Sequence, residues 1–175
     1  MAAPVLLVAV GNESRGDDAL GPLLLRGLGA WLTASGRPEY FELLEEFQLQ
    51  IENAIDLQHR QLVLFIDAGM DTPAPYSFYR LQPDEDASLY SHALSPQALL
   101  KVYQQLYQTP SPAVFVLCVR GERYELGEGL TPLATERLGN ALDFGKQLLV
   151  EPEINAWNQL SEAHDGIVLP NDLSA

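Results

Sequence analysis

The chain has 175 residues, 47% of them apolar and 19% charged, which bounds it to one globular domain of ordinary size and excludes a disordered chain. Ten Lys and Arg against 24 Asp and Glu leave a net charge of −14, which argues against a nucleic-acid partner because phosphates would be repelled. A cation or a basic peptide is easier to accommodate, unless the acid serves solubility alone.

Taken in order, apolar runs alternate with helical patterns, which predicts an α/β architecture. Val5–Val10 is apolar throughout, as in a strand covered on both faces. Leu20, Leu23, Leu24, Leu28, Trp31 and Leu32 follow at helical spacing. Pro22 is tolerable only in a first turn, so this helix should begin between Asp17 and Gly21. Tyr40–Glu46 reads as a second strand, and Leu49–Leu57 as a short helical segment. Leu62–Ile66 is another buried-strand run, ending at Asp67-Ala68-Gly69, and aromatic-rich Tyr76–Leu81 is an added strand. Ser95-Pro96 starts a helix to about Tyr107, which should bury Leu99, Leu100, Tyr103 and Leu106. Ala113–Val119 is the next strand. Thr131-Pro132 opens a long helix with Leu133, Leu138, Ala141, Leu142 and Leu148 on or near its inner face. Residues 1–150 thus form one domain. Residues 151–175 are expected to be an acidic tail with one short helix near Ile154–Leu160 and otherwise the loosest part. No apolar run approaches the roughly 20 residues that span a bilayer, and the N-terminus lacks a basic signal-peptide start, so no membrane association is expected. The single cysteine, Cys118, forbids an intramolecular disulfide, and a cytoplasmic protein is the expectation.

The chemistry-bearing candidates sit at strand ends, where open α/β sheets place ligands. The first strand runs into Gly11-Asn12-Glu13-Ser14-Arg15-Gly16-Asp17-Asp18. Asp17 reads best as a helix cap. Asp18 follows by one residue, cannot fill the same cap, and is the candidate ligand or catalytic carboxylate. Asp67 is either a rigid carboxylate at the sheet edge or a turn aspartate bonded to its own backbone. His92 precedes a helix and is either a surface loop residue or a ligand. Two carboxylates and a histidine from three loops make a three-ligand site with open positions. Cys118, inside a strand, reads as a core residue. No P-loop, CxxC or G-x-S-x-G elbow is present, and the glycines of the first turn are out of register for a dinucleotide fingerprint.

Together these segments resemble the hydrogenase maturation endopeptidases, which remove a C-terminal peptide from the large-subunit precursor of nickel–iron hydrogenases. The matching features are the apolar strand with Gly11-Asn12, then Asp17-Asp18-Ala19-x-Gly21; the strand Leu62–Ile66 with Asp67-Ala68; His92 ahead of a helix; and Gly121-x-x-Tyr124-Glu125-Leu126-Gly127-x-Gly129-Leu130-Thr131-Pro132. The resemblance covers about residues 4–149. It implies a three-layer α/β fold, with a twisted, mostly parallel five-stranded sheet between helices. It implies that Asp18, Asp67 and His92 are the catalytic and metal-binding residues. The metal would be nickel supplied by the precursor, so that cleavage follows correct metal loading. Gly11, Asn12 and Gln48 are the expected substrate contacts. The precursor is the expected partner, and the protease is expected to be a monomer.

The chain departs from the commoner family pattern twice. Many relatives carry glutamate where Asp18 stands. Many also have an Asp-Gly-Gly-Thr loop after the second strand, where this chain reads Glu45-Glu46-Phe47-Gln48-Leu49-Gln50-Ile51-Glu52. The latter resembles the branch serving bidirectional, NAD(P)-coupled hydrogenases. Two other readings stay open: a metal-free hydrolase using Asp18 and Asp67 as a carboxylate pair, and a non-catalytic chaperone of the nickel-loaded precursor.

Overall fold

The computed structural model describes residues 2–82 and 94–172, with side chains described as far as residue 164. Its centre is a five-stranded sheet of strands β1 (Val5–Val10), β2 (Phe41–Glu46), β3 (Leu62–Gly69), β4 (Tyr76–Arg80) and β5 (Ala113–Arg120), in the order β2-β1-β3-β5-β4. All pairs are parallel except β4, which runs antiparallel on the outer edge of β5. The α/β, mostly parallel five-stranded arrangement is the one expected.

Side-chain alternation along the strands divides the core in two. Leu62, Leu64 and Ile66 face helices α1 (Leu20–Ser35), α3 (Pro132–Val150) and α4 (Ile154–Asp172), where Leu24, Leu28, Ala141, Leu148 and Trp157 meet them. Val63 and Phe65 face the other way, onto the 3-10 segment Ile51–Leu57 and helix α2 (Pro96–Tyr107), through Ala54, Leu57, Leu99 and Tyr103. Central strands covered on both faces must be apolar at every position, which is why β1 and β3 carry unbroken apolar runs.

Local chemistry sets the helix ends. Ser95 and Thr131 cap α2 and α3, their side-chain oxygens accepting from Ala98 N at 3.1 Å and Ala134 N at 3.3 Å, each with proline next in sequence. A 3-10 turn at Gly16–Ala19 precedes α1 and leaves Pro22 in the helix's first turn, where its missing N–H costs nothing. Two expected core positions face out. Leu106 lies in the last turn of α2 and is exposed, while Val102 one turn earlier is buried. Leu133 sits about 100° round α3 from Ala134, which takes the inward position.

The C-terminal region differs most from expectation. The helix there is not confined to Ile154–Leu160 but runs from Ile154 to Asp172, and it is docked. Trp157 is 0% exposed, edge-on to Phe115 and Phe78 with centroids at 5.4 and 6.3 Å, and its indole N–H donates to Leu148 O at 2.9 Å. The acidic, proline-containing composition pointed outward, but one tryptophan with a satisfied N–H is enough to anchor the segment. Among the described residues no helix is long and apolar enough to cross a membrane.

Trp157→Ala is expected to cost about 3–5 kcal/mol, lowering the thermal midpoint by roughly 6–20 °C. Trp157→Phe should recover most of that. A midpoint unchanged in the alanine variant would show that α4 does not contribute to the core.

Candidate active site

Strand order brings the functional candidates together. β1 turns away to β2 on one side and pairs with β3 on the other, so the β1/β3 junction is the topological switch point of the sheet. The turn after β1 and the end of β3 meet there. Two glycines permit the approach. A Cβ on Gly21 would stand 2.6 Å from Val10 O and 3.0 Å from Ile66 O, so only glycine lets α1 press its first turn onto both strand ends. A Cβ on Gly11 would stand 2.2 Å from Asp18 O.

Asp18 is half-buried at this junction. Its Oδ2 accepts the Asn12 N–H at 2.7 Å, while Asn12 Oδ1 accepts the Ser14 N–H at 2.9 Å, so the turn is wound around the Asp18 carboxylate. Oδ1 of Asp18 has no hydrogen bond among the described residues. Asp67 is the sixth residue of β3 and lies in register with Cys118 of β5. Alternation puts both side chains on the α2 face. Burial pushes the Asp67 carboxyl up to about 7; the Ala68 N–H donated to Oδ1 at 2.8 Å opposes this, and the charge of Asp18 adds to it. Asp67 is therefore not a turn aspartate, since it lies within β3; it accepts the Ala68 N–H and stands near the carboxyl end of the strand, close to a second carboxylate. A carboxylate so raised beside another is characteristic of functional sites.

Beneath Asp67 opens a cleft of about 300 Å³. Val10, Leu49, Phe65 and Val116 give it apolar walls, and Gln48, Tyr79, Cys118 and the N-terminus of α2 stand around it with Asp67. Gln48 thus lines the same cleft as Asp67. Cys118 is not the plain core residue expected, because it lines this cleft. Burial pushes its thiol up, opposed by a hydrogen bond with Thr72 and reinforced by Asp67, so it stays protonated and is a poor nucleophile. His92 lies outside the described residues. Among the described residues no three His, Cys, Asp or Glu side chains come together as one metal-ligand set. The donor set available is the Asp18–Asp67 pair, which suits a cation that brings other ligands with it.

Asp17 does not cap its own helix as expected. The 3-10 turn that precedes α1 has no side-chain cap. Instead the Asp17 carboxylate, 0% exposed, reaches the loop between β5 and α3. Oδ2 accepts from Glu122 N at 2.7 Å, Arg123 N at 3.2 Å and Thr131 Oγ1 at 2.8 Å, and Oδ1 accepts from Thr131 N at 2.8 Å. Burial alone would raise its pKa, but these donors outweigh it and hold the carboxyl below the ordinary value. Backbone bonds complete the seam: Asp17 N to Arg123 O at 2.8 Å, Gly16 N to Glu128 O at 3.0 Å and Gly127 N to Ser14 O at 2.7 Å. Gly121 N also donates to Gly69 O at 3.0 Å, tying the same loop to the end of β3. Inside the loop, the ring of Tyr124 lies against Gly121, with its hydroxyl beside the same position. Burial, then the charges of Asp67 and Asp18, push the phenol further up, so it remains protonated. The resemblance drew attention to this segment, but nothing in the sequence assigned a role to Tyr124.

No family model and no curated protein matches the chain. Solved structures do, and the structural neighbours are hydrogenase maturation proteases. The hydrogenase maturating endopeptidase HybD from E. coli is 24% identical, with a TM-score of 0.63 over 87% of this chain and 94% of that one. The [NiFe] hydrogenase maturation protease HycI from Thermococcus kodakarensis KOD1 is 17% identical, with a TM-score of 0.62 over 85% and 94%. The hydrogenase 2 maturation peptidase from Thaumarchaeota archaeon SCGC_AB-539-E09 is 22% identical, with a TM-score of 0.57 over 83% and 97%. At these identities the likeness establishes a shared fold.

Asp17→Asn should destabilise the protein by about 2–4 kcal/mol. The new amide N–H₂ would face donors that have lost their acceptor, so denaturant melts should show asparagine almost as harmful as alanine. Asp67→Asn should behave oppositely. The raised carboxyl of Asp67 favours the folded state below about pH 4, and that contribution disappears as pH rises through 7. The stability of Asp67→Asn relative to the parent should therefore climb by about 2–4 kcal/mol between pH 4 and pH 8. A difference independent of pH would show that Asp67 is not raised.

Proposed function

We propose that this chain is an endopeptidase that removes the C-terminal peptide from the large-subunit precursor of a nickel–iron hydrogenase after nickel insertion. The observation that carries the reading is the meeting of Asp18 and Asp67 at the switch point, on a fold shared with hydrogenase maturation proteases along most of the chain. The motifs around Gly11-Asn12, Asp17-Asp18, Asp67-Ala68 and Leu130-Thr131-Pro132 support it from the sequence.

In this reading nickel is part of the substrate. A divalent metal beside a scissile peptide polarises its carbonyl or activates a water. The chain's own contribution is positioning. Asp18 and Asp67 would bind the loaded metal with His92 as third ligand, a role that the resemblance gives to His92. A metal-free precursor would leave two carboxylates facing each other without a counter-charge, and docking would be weaker. Gly11, Asn12 and Gln48 would hold the peptide along the edge. A second reading is favoured by one observation, the raised Asp67 beside Asp18: the pair could share a proton and act as acid and base without metal.

Incubating the protein with nickel-loaded and nickel-free precursor, followed by mass measurement, separates these. Release of a C-terminal peptide from the loaded form alone is expected, and Asp18→Ala or Asp67→Ala should slow it at least about a hundredfold. Equal cleavage of both forms would favour the metal-free pair. A stable complex with no peptide released would favour a chaperone.

A further inference from the structure

Tyr124 carries a buried hydroxyl oxygen that has no hydrogen-bond partner among the described residues. Its ring lies against the backbone of Gly121. A Cβ built on Gly121 would stand 2.8 Å from Cε1 of Tyr124, 3.0 Å from its hydroxyl oxygen and 3.1 Å from Cβ of Asp17. The position is therefore built: glycine clears the space, and the Asp17 carboxylate fixes the backbone on both sides through Glu122, Arg123 and Thr131. Gly121, against which the hydroxyl lies, donates its N–H to Gly69 O at 3.0 Å, two residues beyond Asp67, so the hydroxyl is held at the same end of β3 as the candidate site. A hydroxyl taken from water and left unpaired costs folding free energy. A fold that holds one rigidly beside its candidate site leaves it for a group that arrives later.

We infer that the Tyr124 hydroxyl is a hydrogen-bond donor held for an oxygen atom of the peptide bound at the Asp18–Asp67 edge. The inference rests on the endopeptidase reading and adds a substrate-binding residue to it. Carboxylates that hold the metal of the loaded precursor are ionised and only accept hydrogen bonds, so in that complex they offer nothing to a peptide carbonyl. A neutral phenol supplies that donor. The proton stays on Tyr124 throughout, and no bond is made or broken there. The hydrogen bond strengthens as the carbonyl oxygen gains negative charge, which favours the transition state over the bound peptide.

Tyr124→Phe removes the hydroxyl and keeps the ring. Its thermal midpoint should equal or slightly exceed that of the parent, because no internal partner is lost. A fall of more than about 4 °C would reveal a structural hydrogen bond and overturn the inference. On nickel-loaded precursor, kcat/KM should fall about tenfold to a hundredfold, and an unchanged value would overturn the inference while leaving the endopeptidase reading intact. If the parent protein binds the precursor without cutting it, the endopeptidase reading alone fails. The hydroxyl is then read from the complex: a Kd about tenfold weaker in Tyr124→Phe upholds it, and an equal Kd overturns it. A parent protein that neither binds nor cuts overturns both.

Discussion

The carboxylate of Asp17 is fully buried and carries charge, which the interior tolerates only because four donors converge on it. Those donors belong to the loop between β5 and α3. The interaction therefore joins the first strand-to-helix turn of the chain to the last one before α3. It seats the Thr131 cap that starts α3, and with the Gly121–Gly69 bond it closes the carboxyl edge of the sheet around β1, β3 and β5. Together with the backbone bonds of Gly16, Asp17 and Gly127, it fixes the loop that carries Tyr124 against the Asp18 turn.

Asp17 and Asp18 show how one step along the chain divides structure from chemistry. In the 3-10 turn, adjacent side chains point about 120° apart. One carboxylate goes inward to the loop donors; the other stays half-buried at the switch point, with one oxygen holding Asn12. Asp67 meets it from β3, and its charge is disfavoured both by burial and by Asp18. A pair in that state gains from any positive charge delivered to it. The cleft beneath then offers apolar walls to whatever carries that charge.

Much of the architecture was legible locally. The runs of β1, β3 and β5, the Ser95-Pro96 and Thr131-Pro132 caps, and the position of Pro22 each follow from residue chemistry within a few positions. So did the nomination of Asp18, Asp67 and Gln48, because strand ends and the loops after them are where such sheets carry ligands. Asp17 read locally as a helix cap, since its true partners lie 105 to 114 residues away. Cys118 looked like core because β5 is apolar, yet it is only half-buried and lines the cleft. Trp157 gave no local sign of being an anchor within an acidic segment.

By itself the sequence determined the elements and which residues stand at their ends, since these depend on side-chain period, caps and turn chemistry over a few residues. Only the tertiary structure decided which ends meet. The pairing of β1 with β3 made Asp18 and Asp67 neighbours, the Asp17 seam and the Gly121–Gly69 bond brought the Tyr124 loop to the same end of the sheet, and the docking of Trp157 made the C-terminal helix part of the core. Each of these depends on contacts between segments far apart in the chain, and such contacts leave no periodic trace in the sequence.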